Sequence, residues 1–199
     1  MKTIETEKYV RIQEVRNVDK LNGSVSRARE TECVSPMKSL LVVYSYHHNN
    51  TEKIAKVFAK VLGAQIKTPQ QINLKELQEY DIIGFGSGID SDKHYQPLLD
   101  FADKLPQLAD KNVIIFSTSG ITGEEKRVKD HSTLREKLQG KGCRIVGEFQ
   151  CSGFNTNSFL RFFGGMNKGR PNAEDLNRAE EFAQNLKQSL QLKRTAHAI

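Results

Sequence analysis

The chain has 199 residues, 37% of them hydrophobic, which supports one globular domain with a real core, and no apolar run approaches the roughly 18 residues of a membrane span. A formal charge of +6 suits an acidic partner, yet the lysines and arginines are scattered and not interleaved with aromatics, which argues against nucleic acid. Cys33, Cys143 and Cys151 form no C-x-x-C pair, and an odd count without a secretory signal reads as reduced thiols in a cytoplasmic protein.

Residues 1–37 are polar, mixed in charge and poor in apolar periodicity, and are read as a flexible N-terminal extension dispensable for the core. They hold no signal peptide. Met37, just before the first strong strand, leaves open that the residues ahead of it precede the true start. The regular pattern begins at "SLLVVYS", a buried strand. Ile54, Ala55, Phe58, Val61 and Leu62 then share one helical face, with Glu52, Lys53, Lys56 and Lys60 on the other, and Gly63 ends that helix. "AQIKT" gives a short second strand, a brief helical piece follows near Leu74 and Leu77, and "DIIGFGS" reads as a third strand buried on both faces. Pro97 opens a helix over "PLLDFADKL" that Pro106 closes. "NVIIFST" is a fourth strand, "STLREKL" a helix ending at Gly140, and "CRIVGEFQC" a fifth strand. A last helix over "PNAEDLNRAEEFAQNLKQSL" takes Asn172 as N-cap, leaving residues 193–199 as a tail. The domain is thus placed at residues 38–192.

Apolar strands alternating with helices imply a parallel sheet covered on both faces, because parallel neighbours require crossover connections. Ligands in such sheets bind beyond the carboxyl ends of the strands. That rule selects loops 45–51, 87–95 and 118–123, and the segment 151–171, about twenty residues rich in Gly, Phe and Asn, is long enough to be functional.

The first loop opens a helix, so amide N–H groups and the positive end of the helix dipole converge there as an anion site. Ser45, Tyr46, His47, His48, Asn49, Asn50 and Thr51 supply more hydrogen-bonding groups than a strand-to-helix connection needs. The plainer alternative is that Asn49 or Asn50 caps the helix, with Glu52 completing a box. The chain spells neither G-x-x-x-x-G-K-[ST] nor a G-x-G-x-x-G after the first strand, which disfavours a triphosphatase and an ordinary dinucleotide fold. A metal is not expected: adjacent His47 and His48 cannot easily aim at one ion, and Cys143 and Cys151 lie at opposite ends of a strand. Cys151 reads as a small packed thiol.

The segment "YSYHHNNTEKIA" resembles the phosphate loop of flavodoxins, with Tyr46, His48, Asn49 and Thr51 at the positions of the usual hydroxyl residues, glycine and threonine. The resemblance continues through "DIIGFGSGID", "NVIIFSTSG" and "GRPNAEDLNRAEEFA", covering nearly all of residues 39–192. It implies an α/β, flavodoxin-like, doubly wound five-stranded parallel sheet in the order 2-1-3-4-5, and noncovalent binding of FMN. By position, loop 45–51 would hold the FMN phosphate. Ser87, Gly88, Ile89, Asp90 and His94, with Thr118, Ser119 and Gly120, would border the ring, and Phe154 is the candidate to cover it. The departures are Asn49 in place of glycine, which Asn tolerates because it enters left-handed backbone readily, and Tyr46, His47 and His48 in place of small hydroxyl residues.

The function so implied is electron transfer with a redox partner protein or a small-molecule electron acceptor, with no catalytic acid or nucleophile required. An NAD(P)H-dependent quinone or flavin reductase using bound FMN is the alternative. A homodimer is compatible with either.

Overall fold

The computed structural model describes residues 37–156, 162 and 164–197. Of the expected flexible extension, all but Met37 lies outside the described residues, as do Phe159 and Phe163 of the long segment.

The run Leu40, Leu41, Val42, Val43 is buried because β1 (Ser39–Tyr44) lies between two parallel neighbours, β2 (Gln65–Lys67) and β3 (Ile82–Asp90). Alternate residues serve opposite faces. Leu40, Val42, Ile83, Phe85, Val113 and Ile115 enter one hydrophobic cluster. Leu41, Val43, Ile82, Ile114 and Phe116 enter the other. Helices α2 (Gln96–Lys104) and α3 (Glu124–Gly140) cover the first, while α1 (Asn50–Leu62) and α4 (Ala173–His197) cover the second. Strands β5 (Asn112–Ser119) and β6 (Arg144–Ser152) complete the path β2-β1-β3-β5-β6, all parallel. This is the expected doubly wound order. The expected five strands become six, because β4 (Lys93–His94) folds back antiparallel on the end of β3, pairing His94 with Ile89 and Lys93 with Asp90.

Two helices extend beyond their sequence reading. α3 starts at Glu124, well before Ser132; the face it buries at that end carries Asp130 and His131 in place of apolar residues, so no apolar period marks it. α4 begins after Asn172 as expected: Asn172 Oδ1 accepts from the Asp175 N–H (3.1 Å), and Asp175 Oδ2 accepts from the Asn172 N–H (3.0 Å), a reciprocal cap. It then runs through His197, into the stretch read as a tail. Gly86 has a packing reason. A Cβ there would stand 2.2 Å from the Phe116 ring, so the glycine lets that ring lie flat on β3.

Candidate functional site

At the carboxyl ends of β1, β3 and β5, three loops and the segment after β6 enclose a cleft. Loop 45–51 forms one wall. His48 and Asn49 both take left-handed backbone (φ 53° each), and Asn49 occupies the N-cap position of α1 without a side-chain hydrogen bond. The capping alternative therefore fails for Asn49, and Ser45 Oγ instead accepts from the Glu52 N–H (3.2 Å). Two successive left-handed residues turn the chain sharply into the helix, whose first amides are held locally: the Asn50 N–H donates to the His47 carbonyl (3.4 Å) and the Glu52 N–H to Ser45 Oγ. Asn50, buried, donates from Nδ2 to the Phe154 carbonyl (2.8 Å), while its Oδ1 has no protein partner. Thr51, also buried, shares a hydrogen bond with Thr118 (Oγ1 to Oγ1, 2.8 Å), tying the first loop to the third.

His47 and His48 converge on one hydroxyl. Each Nε2 lies 2.9 Å from Thr156 Oγ1, and the two rings meet edge-on at 4.4 Å. Burial, and then the neighbouring His48, lower the pKa of His47. His48 also lies against the Phe154 ring (4.5 Å between centroids). The segment after β6 is thereby drawn over the first loop, and the enclosed volume is about 30 Å³, room for about one water.

The second loop differs most from its sequence reading. Gly88 and Ile89 line the cleft, but Asp90 stands in the exposed hairpin, whose tight turn places Ser91 and Asp92 in left-handed backbone (φ 49° and 62°). Ser87 and His94, expected beside the ring, point inward instead. The hairpin aligns His94 with Ile89 and sends its side chain beneath the sheet end, where it is buried against His131 (5.0 Å between ring centroids). Ser87 Oγ donates to the Gly88 carbonyl (2.8 Å) and accepts from the Tyr95 N–H (3.1 Å), so His94 Nδ1, at 2.8 Å, carries the proton between them. Burial, and then His131, hold the His94 imidazole well below its ordinary pKa.

Thr118, Ser119, Gly120 and Phe154 line the cleft as read; His48 and Asn49 are on its outer side. Three lining residues were missed: Tyr95, Gly153 and Asn155. Tyr95 was legible in principle. Gly88 leaves the space its ring fills, since a Cβ there would sit 2.5 Å from Tyr95 Cε2, and an aromatic seven residues beyond a strand-end glycine is a visible pairing once the hairpin is known. Burial, and then Asp90, raise the Tyr95 pKa.

A larger hollow, about 440 Å³, opens between α3, β6 and α4, but its Arg127 is already engaged by Glu124 and Glu148. Among the described residues no group of three or more His, Cys, Asp or Glu could hold a metal ion, and no helix is long and apolar enough to cross a membrane. Cys143 and Cys151 are buried free thiols, pushed up to about 11 and about 12 by burial.

The flavodoxin domain family matches residues 41–188. An uncharacterized protein of Methanocaldococcus jannaschii is 42% identical over 150 residues, 75% of this chain and 98% of that protein. Among solved structures, oxidised flavodoxin 2 from Bacillus cereus is 20% identical with a TM-score of 0.56, covering 76% of this chain and 99% of its own. Rubredoxin oxygen:oxidoreductase from Desulfovibrio gigas is 16% identical with a TM-score of 0.54, covering 78% of this chain and 36% of that one. At those identities the two structures show a shared fold.

Proposed function

The chain belongs to the flavodoxin domain family, and on that premise we propose that it binds FMN noncovalently in this cleft and passes electrons to a redox partner protein or a small-molecule acceptor. The observation that carries the reading is the start of α1: two left-handed residues, an N-cap with no side-chain bond, and a buried Asn50 whose Oδ1 lacks a protein partner, all at the carboxyl end of the sheet. These groups fit a phosphate and its polar chain, since the positive end of the helix dipole lies there and Ser45 Oγ and the His47 carbonyl can yield the amides they hold to an anion. Tyr95, packed over Gly88, and Phe154 fit a flat ring.

Bound there, FMN would supply the electron chemistry. The chain's own part is to anchor the phosphate at loop 45–51, to orient the ring between Tyr95 and Phe154, and to shield it from water. Fluorescence titration of the flavin-free protein is the test. FMN should bind tightly and riboflavin far more weakly, because riboflavin lacks the phosphate; equal affinities would remove the anion site. Slow consumption of NAD(P)H in the presence of a quinone is expected for a carrier, and rapid turnover would replace it with the reductase.

A further inference from the structure

The two histidines of the first loop replace small hydroxyl residues, and their arrangement limits where protons can sit. Thr156 Oγ1 has one hydrogen to give. With both Nε2 atoms at 2.9 Å, at most one ring accepts that hydrogen, so at least one Nε2 is protonated and donates to the hydroxyl oxygen. Charging both rings at 4.4 Å would set two like charges side by side.

Few other charges bear on the pair. Tyr46 lies tilted against His47 at 6.4 Å, and Tyr95 approaches Tyr46 from the start of α2. On α1 the Glu52 carboxylate is paired with Lys56 (2.8 Å), on α4 Glu174 and Asp175 are both held by Arg170 (3.4 and 3.1 Å), and Asp90 belongs to the exposed hairpin. Among the described residues no carboxylate is bonded to either ring. A dianion at the α1 N-terminus would be the first negative charge to reach them.

Resting on the FMN reading, we propose that His47, His48 and Thr156 form a clasp across the cleft, which the phosphate of the incoming flavin opens by taking both imidazoles as protonated donors. Loading is then coupled to proton uptake and favoured by acid. Two features support this. The clasp joins the loop that faces the anion site to the segment that narrows the cleft, so releasing it is what makes room. Asn50 makes the second link, from Nδ2 to the Phe154 carbonyl, and its buried Oδ1 stays unpartnered while the clasp is closed. Histidine is the side chain whose ordinary charge change falls between pH 5 and 8, so such coupling operates near neutrality.

The test is calorimetric titration of the flavin-free full chain with FMN, at several pH values and in phosphate-free buffers of different ionisation heat. Net proton uptake should appear as a buffer-dependent heat, and affinity should fall as pH rises from 7 to 8, above the phosphate's own second pKa of about 6, by up to about tenfold per pH unit for each proton taken up. Riboflavin should show neither. His47→Asn with His48→Asn should abolish both effects while FMN still binds, and Thr156→Val should speed association roughly fivefold, the factor one ordinary hydrogen bond carries, with the pH slope kept. FMN binding that is independent of pH and buffer would overturn the clasp alone. A slope shared by riboflavin would do the same. Failure to bind any flavin would overturn both the clasp and the FMN reading.

Discussion

Two pairs of histidines lie within one fold, and their contrast shows how burial decides what a proton can do. His47 and His48 meet at 4.4 Å at the mouth of the cleft and share one hydroxyl partner. His94 and His131 meet at 5.0 Å inside the protein, both buried. The inner pair is locked by a fixed set of partners: Ser87 on His94 Nδ1, Ser117 on His131 Nε2 (2.8 Å) and Glu148 on His131 Nδ1 (2.9 Å), while His94 Nε2 has no protein partner. An exposed ring can gain charge by moving a little. A buried one can gain it only when the surroundings open, so its titration is written into stability and not into binding.

Removing the anchor of the inner pair should have the largest effect. Burial pushes the Glu148 carboxyl up, but hydrogen bonds from His131 and Arg135 outweigh it and hold the group down to about 2. Arg135 reaches it through both Nε (2.7 Å) and Nη2 (2.8 Å). Glu148→Ala should cost roughly 3 kcal/mol, because it leaves a buried imidazole N–H and a half-buried guanidinium unpaired, and lower Tm by about 6–12 °C for a domain of this size. Thermal denaturation checks this. A shift under about 2 °C would mean that water replaces the carboxylate freely, and that the inner pair is no more locked than the outer one.

Acid sharpens the same contrast. The folded-state pKa of His94 and of His131 lies below the unfolded value of 6.5, in both cases chiefly through burial. Below 6.5 the unfolded chain therefore binds more protons than the folded one, so the stability that these rings contribute is present above 6.5 and is lost as pH falls toward their folded values. Each can remove up to about 1.4 kcal/mol per pH unit. Urea denaturation should show stability level from pH 8 to 7 and falling from about 6.5 downward, and His94→Leu should flatten that fall. Flavin loading, governed by the outer pair, should move the other way, strengthening as pH falls from 8 toward 7.

The two glycines of β3 separate core from cleft. Gly86→Ala puts a methyl 2.2 Å from the fully buried Phe116 ring and should destabilise by roughly 1–3 kcal/mol. Gly88→Ala meets the Tyr95 ring at 2.5 Å, but that ring lines the cleft and can turn outward, so the expected loss is in FMN affinity with a smaller change in Tm. Equal effects on stability would show that Tyr95 is as fixed as Phe116.

What the sequence made legible follows the same division. The strands and α1 were readable because their burial is apolar, and runs such as "LLVV" and the Ile54, Ala55, Phe58 face leave a periodic trace. The first half of α3 left none, since the side chains it buries are Asp130 and His131. His94 was misplaced for a related reason. A polar residue at a strand end reads as a ligand group, and only the two-residue hairpin at Ser91 and Asp92, whose left-handed turn no glycine announces, reveals that it faces inward. Loop 45–51 was readable as an anion site, but not its fastening to Thr156, which joins residues more than a hundred positions apart.

The smallest expected change in stability lies at the bond between the first and third loops. The sequence places Thr51 in the loop that would hold the phosphate, yet its hydroxyl is buried and bonded to Thr118. One hydroxyl can do both: if Thr118 donates to Thr51 Oγ1, the Thr51 hydrogen remains for the phosphate. Thr51→Val should then lower stability by about 1 kcal/mol and weaken FMN about tenfold to over a hundredfold, while riboflavin affinity barely changes. Thr118→Val breaks the same bond from the other side, so it should match the stability loss and spare the phosphate. If both variants lose FMN equally, the bond serves to hold loop 45–51 in shape, and the hydroxyl of Thr51 is part of the core and not of the anion site.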